Sequence, residues 1–421
     1  MREDYDISNY KVYNSIMGNI FIIKDFVGRF MKKLVCVFII LHMCVCLASP
    51  NPVSAADRPA QTELYSLSAA MIDGDTGRVL YEKNGYDIRA MASTTKIMTL
   101  ILALEYGNTD DVVTVSSYAA KMPDVQLGIC EGEQYYLQDL IYSMMLESHN
   151  DSAVAIAEHI GGDVEHFADM MNAKAAELGL SDTYFITPNG LDAEDKNGKH
   201  STTAVELAKI MKYCVMDSPA KDQFLTICQT RSYSFTDYSG KRQFTVNNKN
   251  RFLDMMTGVL AGKTGFTADA GYCYVAALEQ DGKTYIIALL GCGWPGNKGY
   301  KWQDSRALFE YGLSAYEIQT ILTGDYETEE IAVINGMEKD SIKTYINANE
   351  EFLISQDDSV ELVKHLPDAL SAPVVENDIV GTIDIKINGQ LLSTVNVYAA
   401  ESVKKVNFPY YLKWIWQSFL F

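Results

Sequence analysis

Ala92-Ser93-Thr94-Thr95-Lys96-Ile97-Met98-Thr99 opens a helical pattern that runs to Tyr106. Positions i and i+3 share a helix face, so Ser93 and Lys96 can point into one cleft. A serine hydroxyl is a poor nucleophile until a base takes its proton. A lysine serves as that base only where burial and a neighbouring cation hold it neutral. The helix N-terminus beside Ser93 also aims free N–H groups at developing negative charge. The tetrad S-x-x-K carries little alone, since it recurs at Ser8…Lys11, Ser218…Lys221 and Ser402…Lys405. The first copy precedes an export signal, the second holds Pro219 and no apolar helical run, and the third leads into the tail.

Its company carries more. Ser148-His149-Asn150 falls between two helical patterns, where a turn can present Ser and Asn side chains to the same cleft. Lys263-Thr264-Gly265 occurs once, between Val259-Leu260-Ala261 and Phe266-Thr267. A strand there supplies a cation, a hydroxyl and, at Gly265, close backbone approach to a ligand. Taken singly, Ser148 and Asn150 could cap the next helix, and Lys263-Thr264 could be a turn. Together and in this order they are much harder to dismiss.

Around these motifs the pattern is mixed. Leu67–Met71 and Val79–Glu82 predict two strands joined by the turn Asp73-Gly74-Asp75-Thr76-Gly77. Helical spacing follows at Thr94–Tyr106, Leu137–Leu146, Asp151–His159, Val164–Leu178 and Thr203–Cys214. Strands return at Arg231–Thr236, Gln243–Asn247, Gly271–Glu279 and Thr284–Gly291, and a last helix runs from Gln303 to about Tyr316. Strands, then helices, then strands predict an α+β fold, an antiparallel sheet with a helical subdomain around it. After Thr323 the texture changes to short alternating strands, ending in the hairpin Ile379–Ile387, Asn388-Gly389, Leu391–Tyr398. That predicts a separate small all-β domain. With 55 acidic against 35 basic side chains the net charge is −20, which argues against a broad basic face for nucleic acid. No apolar run reaches the roughly 20 residues of a spanning helix.

The motif set S-x-x-K, S-x-N, K-T-G is that of penicillin-binding proteins and class A β-lactamases. The chain most closely resembles the D-alanyl-D-alanine carboxypeptidases among the low-molecular-mass penicillin-binding proteins. Ala92–Thr99, Ser148-His149-Asn150-Asp151-Ser152-Ala153, Thr187-Pro188-Asn189-Gly190-Leu191-Asp192 and Lys263–Thr267 all look like that family's blocks. The resemblance covers nearly everything from about residue 60 onward. It departs at His149, where the family usually has a small residue and where the pocket wall is expected to change. It implies that Ser93 is acylated, Lys96 is its general base and Ser148 relays a proton to the leaving D-alanine. Asn150 would hold the substrate amide, and Lys263, Thr264 and Gly265 would engage the end of the substrate. The backbone N–H groups of Ser93 and Phe266 would form the oxyanion hole. Peptidoglycan stems ending in D-Ala-D-Ala are the implied substrate and β-lactams the implied inhibitors, with no metal or cofactor.

Two alternatives share features of the chain. A class A β-lactamase would need a deacylating carboxylate in an E-x-x-L-N block; the nearest match, Glu177-Leu178-Gly179-Leu180, is followed by Ser181. A non-catalytic wall-binding protein would tolerate a degenerate triad, yet every motif residue is intact.

The ends complete the layout. Met31-Lys32-Lys33, the apolar run Leu34–Leu47 and the small residues Val53-Ser54-Ala55-Ala56 predict an N-terminal extension and signal peptide over 1–56, hence export. The catalytic domain would then occupy 57–322, a small β-sandwich-like domain 323–402, and an amphipathic membrane-anchoring tail 403–421. In the tail Tyr411, Leu412, Ile415, Trp416, Phe419 and Leu420 share one helical face and Lys413 and Gln417 the other. That arrangement suits a helix lying on the outer face of the cytoplasmic membrane. Downstream of the signal, Cys130, Cys214, Cys228, Cys273 and Cys292 form no disulfide framework or zinc pattern, and most are expected as buried thiols.

Overall fold

Alternate residues along the long strands enter two different cores, as the two-residue repeat of a strand requires. On Lys283–Leu290 the residues Ile286, Ala288 and Leu290 pack into one cluster, while Tyr285, Ile287 and Leu289 pack into another. On Gly271–Gln280 the residues Cys273, Val275 and Ala277 face the first core, and Tyr274, Ala276 and Leu278 face the second. The sheet is therefore covered on both faces. In this computed structural model, residues 58–419 are described apart from 325 and 327. The expected signal peptide and N-terminal extension lie outside the described residues.

The sheet has five antiparallel strands: β1 (Ser68–Asp73), β2 (Val79–Lys83), β3 (Val259–Thr267), β4 (Gly271–Gln280) and β5 (Lys283–Leu290), in the order β2-β1-β5-β4-β3. The two ends of the chain segment thus meet at the centre, with Ser68 opposite Leu290 and Asp73 opposite Tyr285. β3 pairs with β4 alone, which leaves its other side at the sheet edge.

Among the described residues seven α-helices surround it: α1 (Lys96–Tyr106), α2 (Leu137–Glu147), α3 (Asn150–Gly161), α4 (Val164–Glu177), α5 (Ala204–Lys212), α6 (Lys221–Gln229) and α7 (Tyr300–Ala315). Every residue of α1 from Lys96 to Leu104 is buried, the polar Lys96 and Thr99 included, so this helix sits inside the first core. α7 covers the opposite face through Leu308, Phe309 and Tyr311. The fold is α+β, and the helical and strand patterns of the sequence fall on these elements. One expectation is corrected: the stretch after Ser218, taken to hold no apolar helical run, forms α6 and buries Phe224, Ile227 and Cys228 at i, i+3 and i+4.

Beyond α7 the chain is all β up to its last helix. Strands Ile379–Ile387 and Gln390–Ala399 form a hairpin whose turn residues Asn388 and Gly389 both have positive φ, at 52° and 79°. That is the backbone a two-residue hairpin needs and the reason for Asn-Gly there. A hydrophobic cluster from Leu322 to Val403, including Ile383, Ile385, Val395 and Val397, fills this region. Arg78 joins it to the sheet region: it is paired with Asp358, bonded to the Leu353 carbonyl and stacked over Tyr316. The last helix, α8 (Phe408–Phe419), leaves Phe408, Tyr411, Leu412, Ile415 and Trp416 exposed. Among the described residues no helix is long and apolar enough to cross a membrane. Cys214, Cys228, Cys273 and Cys292 are buried free thiols, and Cys130 is an exposed one.

Candidate active site

Ser93 lies in the tight turn Ala92–Thr95 that leads straight into α1. The turn is held in an unusual shape, since Ala92 has φ 49°, a region that costs a residue with a Cβ on the order of 1 kcal/mol. Two glycines permit its surroundings. A Cβ on Gly190 would lie 2.0 Å from the Ala92 carbonyl oxygen, and one on Gly265 would lie 2.8 Å from the Ser93 nitrogen. Strand β3 and the loop at Asn189 can therefore close on the turn from two sides only because these positions lack side chains.

Lys96 is fully buried beneath Ser93. Its Nζ lies 2.8 Å from Ser93 Oγ, 2.8 Å from Asn150 Oδ1 and 2.6 Å from the Asn189 carbonyl oxygen. A neutral amine has two N–H bonds and one lone pair. The two carbonyl-type oxygens can only accept, so they take both N–H bonds, and the lone pair is left aimed at the serine hydroxyl. Burial pushes the Lys96 pKa far down, and the charge of Lys263 pushes the same way, so the neutral form is the favoured one.

Ser148 caps α2 in a left-handed conformation, φ 71°, which turns its side chain away from the helix axis. Lys263 Nζ donates to Ser148 Oγ at 2.8 Å and to the Thr264 carbonyl at 2.8 Å. Burial lowers the Lys263 pKa to about 7. Asn150 starts α3, and its Nδ2 donates to the Pro123 and Asp124 carbonyls at 3.0 and 3.2 Å. Both ends of its amide are thus engaged within the protein, and Oδ1 has a second lone pair beyond the one that Lys96 uses. The cleft has a volume of about 610 Å³ and is lined by Ser93, Ser148, Asn150, Thr264, Gly265 and Phe266. Lys249, Arg251, Lys298 and Lys301 stand on its walls.

Ser93, Ser148, Asn150, Thr264, Gly265 and Phe266 thus line one cleft, while Lys96 and Lys263 do not line it and lie buried behind it, in hydrogen-bond contact with Ser93 and Ser148. The profile of the D-alanyl-D-alanine carboxypeptidase family matches residues 54–293. The chain belongs to this family. A second profile, the C-terminal domain of penicillin-binding protein 5, matches residues 316–405. Among curated members the chain is 29% identical over 393 residues to the D-alanyl-D-alanine carboxypeptidase DacF of Bacillus subtilis, covering 91% of this chain and 97% of that protein. It is 27% identical to DacA of Escherichia coli, covering 91% and 95%. Of solved structures, penicillin-binding protein 5 from Haemophilus influenzae superposes with a TM-score of 0.65 at 26% identity, covering 83% of this chain and 99% of that one.

Several residues of this carboxypeptidase fold were not singled out by sequence. Asp151, fully buried, accepts from the backbone N–H groups of Leu127, Gly128, Ile129 and Ser152 and so pins the loop before Cys130 to α3. Asn189, quoted within the Thr187–Asp192 block but given no role there, offers its carbonyl to Lys96 Nζ, and its Oδ1 accepts from the Leu191 N–H. Lys301 is buried against the rings of Tyr272 and Trp302, at 4.6 and 4.7 Å; Arg306, by contrast, is bonded to the Met255 carbonyl and Glu310. His149 differs from expectation: it is not among the residues lining the cleft. Its own backbone is extended, with ψ 128°, and its Nδ1 lies 2.8 Å from Ser143 Oγ on α2.

Proposed function

We propose that the chain is a serine-type D-alanyl-D-alanine carboxypeptidase that removes the terminal D-alanine from peptidoglycan stems. The observation that carries this is the Lys96 lone pair aimed at Ser93 Oγ, with both amine hydrogens already committed. Ser93 Oγ attacks the carbonyl carbon of the penultimate D-alanine while its proton passes to Lys96. The oxyanion would form against the backbone N–H groups of Ser93, in the turn before α1, and Phe266, on the edge strand β3. Collapse breaks the peptide bond, and the D-alanine amine leaves with a proton delivered through Ser148, which Lys263 keeps in place. Water then cleaves the ester and restores Ser93.

A substrate ending in a carboxylate needs cations and hydroxyls at that end. Lys263, Thr264 and Lys301 fit that need, and the remaining lone pair of Asn150 Oδ1 suits a substrate N–H. A β-lactam presents the same carboxylate and an acyl carbonyl, so its ring opens on Ser93 and leaves an ester in place of a substrate. In this reading residues 1–56 direct export and α8 holds the enzyme on the outer face of the cytoplasmic membrane.

The test is the intact mass of the mature protein after incubation with benzylpenicillin, beside Ser93→Ala. The expected result is one penicilloyl adduct in the wild type, none in the variant, and loss of D-alanine release by the variant. An adduct on the Ser93→Ala protein, or full activity in it, would overturn the assignment. Rapid drug loss with no adduct would favour a β-lactamase instead.

A further inference from the structure

His200 stands outside the cleft, yet its ring is only 3% exposed and lies directly under the turn that carries Ser93. Its partners fix its protonation. The backbone N–H groups of Ile186 and Thr187 point at Nδ1 from 2.9 and 3.3 Å, and an N–H can only donate, so Nδ1 is the unprotonated acceptor. The hydrogen of the neutral ring therefore sits on Nε2, 2.8 Å from Thr95 Oγ1. Thr95 Oγ1 in turn donates to the Ala92 carbonyl at 2.8 Å, which leaves its lone pairs for the histidine N–H.

These two sets of partners belong to the two halves of the acylation apparatus. Thr95 is part of the Ala92–Thr95 turn, between Ser93 and Lys96. Ile186 and Thr187 lead into Pro188-Asn189-Gly190, and the Asn189 carbonyl holds Lys96 Nζ at 2.6 Å and faces Ser93 Oγ at 3.3 Å. The same loop is tied to α1 once more, by Thr99 Oγ1 donating to the Pro188 carbonyl at 2.6 Å.

We propose that His200 is a positioning residue for acylation: its neutral Nε2–H tautomer clamps the Asn189 loop to the Ser93 turn and so keeps the Lys96 lone pair on Ser93 Oγ. The proposal rests on the acyl-enzyme reading above. A charged imidazolium would carry a hydrogen on Nδ1, and the Ile186 and Thr187 N–H groups would lose their acceptor. Burial makes that form costly and draws the ring pKa down to about 4. Arg89, Asp192, Glu194, Lys199 and Asp269 line the pocket beside the ring, Lys96 lies beyond Thr95, and none of the six is hydrogen-bonded to the imidazole.

The experiment compares His200→Ala, His200→Asn and His200→Gln for benzylpenicillin acylation rate, kcat, KM and melting temperature. Asn places an acceptor near the position of Nδ1, whereas Gln places a donor near that of Nε2, so each restores one half of the clamp. A displacement of the general base by about 1 Å costs roughly 10²-fold in rate. We expect a loss of that order in acylation and kcat for the alanine variant, smaller losses for Asn and Gln, and little change in KM. Ring nitrogen chemical shifts in the wild type should report a protonated Nε2 and a bare Nδ1. Wild-type acylation rates in folded variants, a rise in KM with kcat intact, or the opposite tautomer would each overturn the proposal. Should the alanine variant not fold, the Asn and Gln variants still decide it. A wild type that takes up no penicillin would overturn the acyl-enzyme reading itself, and this proposal with it.

Discussion

At the scale of single residues, burial sets the chemistry of the site. Lys96 and Lys263 are both withdrawn from water; Lys96 is held by two oxygens that can only accept, and Lys263 by the Thr264 carbonyl and the Ser148 hydroxyl. His200 follows the same rule, and it links the site to stability. Its ordinary pKa is 6.5 and its folded value about 4. As pH falls from 6.5 toward 4, the unfolded chain takes up a proton that the folded chain refuses. Stability from this group is thus complete above pH 6.5 and drains away toward pH 4, by at most about 3 kcal/mol. The expected outcome is a steeper acid loss of the urea midpoint in the wild type than in His200→Asn over that window. Buried His149, whose pKa is also lowered by burial, shifts both proteins alike. Parallel curves for the two would sink the claim. Sequence made Ser93, Lys96, Ser148, Asn150 and Lys263 visible because reactive side chains at fixed spacing stand out. It did not show the role of the Asn189 carbonyl, although Asn189 stood in a quoted block, and it hid His200, whose partners Thr95 and Ile186 lie 105 and 14 positions away.

At the scale of elements, the site is a meeting of three N-terminal or edge features: the turn before α1, the α2–α3 junction and the open edge of β3. An edge strand has backbone to spare, and β3 brings its free side against the Ser93 turn. Gly265 is the contact point, where a Cβ would stand 2.8 Å from the Ser93 nitrogen, 3.0 Å from Ala92 Cβ and 3.1 Å from the Thr94 nitrogen. Backbone atoms cannot swing aside, so Gly265→Ala must push β3 and the turn apart. Because the strand is at the sheet edge, the movement is local. We expect acylation to fall by about 10²-fold with only a few degrees lost in melting temperature. Acylation within twofold of wild type would show that the approach is not needed. Apart from α6, the long periodic elements were readable to within a few residues, as at Gln243–Asn247 and Ile379–Ile387. The pairs that were not, Val112–Thr114 with Gln134–Tyr136 and Glu194–Asp195 with Gly198–Lys199, are too short to show a period and exist through their partners.

At the scale of the whole molecule, the sequence joins a strongly acidic protein to a tail helix that leaves large apolar side chains open to solvent. Phe408 and Trp416 are 77% and 71% exposed, and Tyr411, Leu412 and Ile415 are open on the same helix. The root of that helix is firmly stitched: Val403 is buried in the β core and pairs with Val374, and Val406 N donates to the Asn335 carbonyl. The point where the tail leaves the protein is therefore Asn407, and a cut at Glu401 would remove core residues along with it. An interfacial helix gains from inserting such side chains and from lysines near anionic lipid, here Lys404, Lys405 and Lys413. The mature protein should co-sediment with anionic vesicles, less so as salt rises or charge is removed from the lipid. A chain ending at Asn407 should stay in the supernatant while releasing D-alanine from a soluble peptide at the full rate, because none of its catalytic groups is touched. Trp416→Glu in the full mature chain should weaken sedimentation without moving the melting temperature. If the shortened protein sedimented as well as the mature one, attachment would have to come from the surface of the folded body instead of α8.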